Sequence, residues 1–350
     1  MKTNKLSFLL FLLFAFSAVL TAQAADPFIS FTPGDVQLNP AGRVRIYVDS
    51  NDERGVMRAA RNLCADFHAV CGADAQILND DAVGIVVGTL GHSAVIDRMV
   101  KEKRIDLSAL KGKREMYIIQ LVDNQLVIAG SDRRGTIFGI YELSQQLGVS
   151  PWYYWADTPI EKHEEIYAIR GTYTDGEPVV RYRGIFLNDE APCLTSWVKN
   201  TFGTDYGGHD FYEKVFELIL RLKGNFLWPA MWGWAFYADD AQNSPLADEM
   251  GVIIGTSHHE PMARNHQEYA RRRQEWGAWN YQTNQAKLDQ FFREGIERAK
   301  NTEDIITIGM RGDGDEAMSA DADTKLLQKI VNNIARSEER RVGKECRSRW

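Results

Sequence analysis

Asp313, Asp315 and Glu316 place three carboxylates in the stretch IGMRGDGDEAM, residues 308–318, with Arg311 just ahead of them. Carboxylates that crowded repel one another, so at least one is expected to keep its proton near neutrality. A general acid needs that state. Gly312 and Gly314 permit a tight bend that aims the neighbouring side chains inward, and Arg311 can hold an anionic group through a bidentate pair. A calcium loop fits less well, because the EF-hand ligand spacing and its closing Glu are absent.

Three other clusters carry comparable chemistry. Asp189-Glu190 reads either as a cap or as a catalytic or sugar-binding pair. Trp228, Trp232 and Trp234 include an expected core residue, Trp228, and an expected sugar platform, Trp232, since the apolar C–H face of a sugar suits an aromatic face. His258-His259-Glu260 suggests a metal, but no HExxH follows: the next histidine is His266, and Pro261 breaks a local helix. The spacing favours a histidine that bonds a sugar hydroxyl or carboxylate. Neither a metal nor another cofactor is expected.

All four clusters follow apolar runs. YRGIFL precedes Asn188-Asp189-Glu190, GNFLWPAM precedes Trp232-Gly233-Trp234, GVIIGT precedes Ser257 to Glu260, and DIITIGM precedes Arg311 to Glu316. Helical patterns over 210–222, 239–250, 285–299 and 321–335 separate or follow these runs, as in a parallel βα array. Four units make half of an eight-stranded barrel, whose active site lies at the C-terminal strand ends where these clusters fall.

The earlier part of the chain differs. VRIYV (44–48), GIVVG (84–88), MYIIQLV (116–122) and QLVIAG (125–130) read as strands, and residues 53–70 and 134–147 as helices stopped by Gly72 and Gly148. Asp123-Asn124 reads as a hairpin turn, which makes the sheet mixed. The fold class is therefore α/β: an N-terminal mixed-sheet domain over 25–165, a linker over 166–181, and a truncated first half of a TIM-type barrel over 182–336. The aromatic run Trp152 to Trp155 before the linker is either a sugar platform or an interdomain packing patch.

Residues 1–24 read as a signal peptide, with Lys2 and Lys5 ahead of an apolar run from Leu6 to Leu20 and an Ala-Gln-Ala cleavage site. That leader implies a secreted or periplasmic protein with no membrane span after its removal. Loss of the two lysines takes the formal charge from −7 to −9, which disfavours a nucleic-acid partner. Cys64 and Cys71 lie ~10 Å apart along a helix by rise alone, too far to bridge, so no disulfide framework is expected.

Five blocks, SDRRGTIFGIYELSQQLGVSPWYYWADTP (131–159), YRGIFLNDE (182–190), LKGNFLWPAMW (222–232), GTSHHEPM (255–262) and ITIGMRGDGDEAM (306–318), resemble glycoside hydrolase family 115, the xylan α-glucuronidases. The resemblance runs from about residue 30 to 335. It implies an N-terminal α/β domain, a (β/α)₈ barrel, and helical and β-rich regions beyond. The implied reaction is release of glucuronic acid, or its 4-O-methyl form, from glucuronoxylan or its oligosaccharides with inversion. By position, Asp315 resembles the general acid, Arg311 lies beside it, and Asp189, Trp232 and His258 resemble other pocket residues; Glu190 and His259, adjacent in sequence, are taken as substrate-binding candidates with them. Inversion requires a second carboxylate roughly 6.5–9.5 Å from the acid, expected on later barrel strands.

Residues 337–350, SEERRVGKECRSRW, lose the preceding helix's apolar face and read as a non-family tail. A half barrel with open edges is expected to be inactive. The competing readings are a non-catalytic protein that binds acidic carbohydrate, and a glycosidase of other specificity such as a hexosaminidase, for which Asp315-Glu316 loosely supplies an adjacent Asp-Glu pair. Oligomeric state is not legible.

Overall fold

A computed structural model of the protein describes residues 27–342 apart from residues 190, 230–232 and 314–315; for residues 337–342 it describes the backbone alone. The expected leader, Glu190, Trp232 and Asp315 thus lie outside the described residues.

In the N-terminal part, β1 (Ile29–Ser30) and β2 (Val36–Gln37) precede β3 (Arg43–Val48), α1 (Arg54–Cys71), β4 (Asp74–Leu78), β5 (Ile85–Thr89) and α2 (Ala94–Lys101). Then follow β6 (Tyr117–Val122), β7 (Gln125–Gly130), α3 (Arg133–Gln146), β8 (Tyr167–Ala168) and β9 (Thr172–Tyr173). The six-stranded sheet has the order β4-β3-β5-β7-β6-β9. Its β3, β4, β5 and β7 pair in parallel, while β6 is antiparallel to both β7 and β9, so the sheet is mixed as expected. Asp123 and Asn124 both take positive φ, 48° and 65°, the signature of a type I′ hairpin turn. Helix α1 buries Val56, Ala59, Ala60, Leu63, Phe67 and Val70 along one face and ends at Gly72, whose φ of 66° suits a residue without Cβ.

The expected linker is partly built into this lobe. Tyr167 and Ala168 pair with both β1 and β2, and Thr172 and Tyr173 extend the main sheet. The aromatic run also packs: the Tyr153 hydroxyl donates to Glu217 at 2.9 Å and the Trp155 indole donates to the Lys214 carbonyl at 3.2 Å. Tyr153 and Trp155 therefore join the lobes, while Trp152 is exposed.

The second lobe contains β10 (Gly184–Phe186), α4 (Cys193–Phe202), α5 (His209–Arg221), β11 (Phe226–Trp228), α6 (Phe236–Asp239), α7 (Asn243–Met250) and β12 (Ile253–Ile254). After β12 come α8 (His266–Arg271), α9 (Arg273–Trp276), α10 (Tyr281–Ala299) and α11 (Thr324–Val342). Strands β10, β11 and β12 are parallel and neighbour one another in chain order. The expected fourth strand is reduced to one parallel bridge, Gly255 to Ile305. The Ile305 N–H reaches the Ile254 carbonyl at 2.9 Å, but the Thr307 carbonyl accepts from Met262 in the loop after β12, and this draws the segment out of a regular ladder.

One hydrophobic core runs through both lobes, from Ile46, Phe67 and Ile128 to Phe216, Leu227 and Ile254. A buried ion network crosses it. Arg221 grips Asp66 through two bonds of 2.9 and 3.1 Å and Glu217 through one of 2.8 Å, with its guanidinium 4.6 Å from the centre of the Tyr141 ring. Glu115, also buried, accepts from Arg134, Arg183 and Asn225, each at 2.7 Å. These contacts fix how the parallel strands stand against the N-terminal sheet.

Candidate functional site

The described parts of the four clusters gather at the C-terminal ends of β10, β11, β12 and the Ile305 segment, through a linked set of side chains. Asp189 follows β10 and is almost fully buried. One carboxylate oxygen accepts from the backbone N–H groups of Gly233 at 2.6 Å and Trp234 at 3.0 Å. Asp189 therefore fixes the turn after β11. Arg271 holds the same turn from the other side, bonding the Gly233 carbonyl at 2.9 Å and pairing with Asp239.

The loop after β12 separates its two histidines. His258 is exposed, whereas His259 is buried with Nδ1 3.2 Å from the Ser257 hydroxyl. Their rings meet edge to face at 4.9 Å, and His259 lies 5.7 Å from His266. His258 is thus the better placed of the pair to meet a ligand. Among the described residues no three His, Cys, Asp or Glu side chains converge as a metal site requires.

Glu260, for which the sequence suggested only a metal role, is central to this loop. It is 1% exposed. Its carboxyl accepts from Asn265 Nδ2 at 3.3 Å, His266 N at 3.1 Å and Ser257 N at 3.3 Å. Burial pushes its pKa up to about 8; the three hydrogen bonds pull it down without cancelling that rise, and the charge of Asp189 adds to it. Its value without these surroundings is 4.5. The folded protein therefore binds this proton between about 4.5 and 8 while the unfolded chain releases it, so Glu260's contribution to stability falls as pH rises through that window. Glu260→Gln, which stays neutral, is expected to flatten the dependence; a variant whose midpoint denaturant concentration falls with pH as steeply as the wild type's would contradict this. The Asn265 and Glu268 capping box that starts α8, a spacing passed over in the sequence, marks the same knot.

The Arg311 to Glu316 stretch is tied at several points. The Trp279 indole donates to the Arg311 carbonyl at 2.9 Å. Gly312 N–H bonds the Glu316 carbonyl at 2.9 Å, and a Cβ on Gly312 would fall 2.5 Å from that same oxygen. The tight bend thus requires glycine at 312. Asp313 accepts from His266 Nε2 at 2.7 Å and pairs with Arg273, so it is a fixed point of the loop and Arg311 is half-buried beside it. An open groove of about 950 Å³ borders Asp313 and is lined by Tyr269, Arg271 to Arg273, Trp279 and Asn280. That volume lies in the range of small-molecule sites.

The profile of glycosyl hydrolase family 115 matches residues 175–347. The match covers most of the basic stretch expected to lie outside the family, and helix α11 continues through Val342. Among solved structures, BtGH115A, a family GH115 4-O-methyl-α-glucuronidase with specificity for decorated arabinogalactans, is 33% identical with a TM-score of 0.81, over 90% of this chain and 42% of its own. This chain thus spans less than half the length of that relative. A Flavobacterium johnsoniae chitobiase matches at 11% identity and TM-score 0.42, over 67% of this chain and 34% of its own. A Streptomyces plicatus β-hexosaminidase matches at 14% and 0.42, over 71% and 46%. No match is found among the curated proteins.

Proposed function

Because this chain belongs to glycosyl hydrolase family 115, we propose that the intact protein carrying it is a glycoside hydrolase that releases glucuronic acid, or its 4-O-methyl form, from polysaccharide side chains. The observation that carries this reading is the 33% identity, at TM-score 0.81, with a 4-O-methyl-α-glucuronidase. Strands β10 to β12 and the Ile305 bridge are read as the opening strands of a (β/α)₈ barrel. Their parallel pairing in chain order supports this, as does the exposure of all three residues of β10, an edge that a closing strand would cover.

In the proposed reaction Asp315 gives its proton to the glycosidic oxygen as the C1–O bond breaks. A second carboxylate, in the remainder of the barrel, takes a proton from water, which attacks C1 from the opposite face. Arg311 holds the uronate carboxylate by a bidentate pair, Trp232 stacks on a sugar face, and exposed His258 bonds a hydroxyl. Asp189 keeps the β11 turn in shape, with Glu190 beside it in sequence, and His259 packs behind His258. The leader over residues 1–24 would direct the protein to the periplasm or outside the cell.

Glucuronoxylan is the first expected substrate, and the specificity of BtGH115A for decorated arabinogalactans makes the uronate-capped form of that polymer the second. Incubating the intact protein with each and quantifying free uronic acid separates them; absence of release from both sinks the reading. Residues 25–350 alone are expected to show no turnover.

A further inference from the structure

We propose that His266 is a positioning residue: through Asp313 it sets the loop that carries Asp315. The inference rests on the functional reading above and deepens it. His266 begins helix α8, and its backbone N–H is held by Glu260, so the start of the helix is anchored to the β12 loop. Its imidazole is mostly buried and bounded by three rings, those of His259 at 5.7 Å, Tyr269 at 5.9 Å and Trp279 at 5.6 Å. From that fixed setting Nε2 donates to Asp313 Oδ1 at 2.7 Å, a charge-assisted bond of the shorter kind. Nδ1 is buried with no hydrogen-bond partner among the described residues. The ring is therefore committed to a single polar partner, and that partner stands two residues before Asp315 in the chain.

Other ties make the bond a determinant of loop shape. The Trp279 ring that borders His266 also bonds the Arg311 carbonyl, and Arg273 supplies the second partner of Asp313. The Gly312 to Glu316 bond closes the loop around Asp313. The described residues of the loop are thus held at Arg311, Gly312, Asp313 and Glu316. Release of the Asp313 tether alone would loosen the part that carries the acid. An acid displaced by about 1 Å can lose on the order of 10²-fold in rate.

The test compares His266→Ala, His266→Gln, Asp313→Ala and the double variant His266→Ala/Asp313→Ala in the intact protein. His266→Ala is expected to lower kcat about 10²-fold with KM within about twofold of wild type, because the substrate contacts remain and the alignment is lost. Gln places an amide near Nε2 and should restore most of kcat. The double variant should be no slower than the slower single variant, since both remove one interaction. Wild-type kcat in His266→Ala, or multiplying effects in the double variant, would overturn the proposal. Hydrogen exchange at the Gly312 amide reads the loop without activity: it should quicken in His266→Ala and stay near the wild-type rate in His266→Gln. Unchanged exchange in His266→Ala overturns the proposal even if the wild-type protein releases no glucuronic acid, an outcome that would refute the functional reading separately.

Discussion

Replacing Asp315 by Asn in the intact protein is expected to lower turnover of a polysaccharide substrate by about 10²–10⁴-fold, the usual worth of a positioned general acid. Asn keeps the shape of the side chain and cannot release a proton to the leaving oxygen. The loss should depend on the leaving group. A sugar alkoxide leaves badly without a proton, whereas an aryl glucuronide with an acidic phenol needs little help, so the same variant should retain far more of its rate on the aryl substrate. Comparing kcat on the two substrates checks the role and not only the importance of the residue. Wild-type turnover of the polysaccharide by Asp315→Asn would rule the assignment out.

The largest stability effect is expected at Arg221. Its side chain is 2% exposed and its guanidinium pairs with Asp66 and Glu217, whose side chains are 6% and 5% exposed. Arg221→Ala would leave Asp66 buried without its cation and Glu217 with Lys214, 3.2 Å away, as its remaining one, and removing one partner of a buried ion pair costs about 3–5 kcal/mol. Asp66 lies on α1 and Arg221 on α5, so the penalty falls on the contact between the lobes. Replacing Asp66, Glu217 and Arg221 together with apolar residues of similar volume should restore much of the loss, because the one charge that then loses its partner, Lys214, is partly exposed to solvent. Denaturant titration of the single and triple variants measures both effects. A single variant within 1 kcal/mol of wild type, by that estimate, would contradict the account.

The N-terminal lobe was legible because its periodicities are long and its turn chemistry is local. The apolar face of α1, its stop at Gly72 and the Asp123-Asn124 turn need only neighbouring residues to be read. Strand β4 was missed: DAQIL offers little β-branched character, and its pairing with β3 is supplied from across the sheet. The order within the expected linker was hidden for a similar reason, since Tyr167 to Tyr173 gain it from distant strands. The DIITIGM run has strand composition yet forms one bridge, because Met262 captures the Thr307 carbonyl.

At the candidate site, residue type revealed where the clusters fall and concealed how their members divide the work. Asp189 looked like a ligand to substrate, and its carboxylate is engaged by the turn after β11. His258 and His259 looked equivalent, and burial separates them. Glu260 and His266 stood out only as failed metal ligands, because a buried proton and a hydrogen bond across 47 residues leave no local pattern. The Asn265 and Glu268 capping box, a spacing not picked out in the sequence, lies at the same knot.

The central claim is best tested by following hydrolysis with proton NMR, using the intact protein and an oligosaccharide that bears an α-linked 4-O-methylglucuronic acid. Attack by water opposite the departing oxygen inverts the anomeric carbon. The account predicts that the β-anomer of the free acid appears first and that its α-anomer grows in only as mutarotation proceeds. Absence of any released uronic acid, or initial accumulation of the α-anomer, would contradict it.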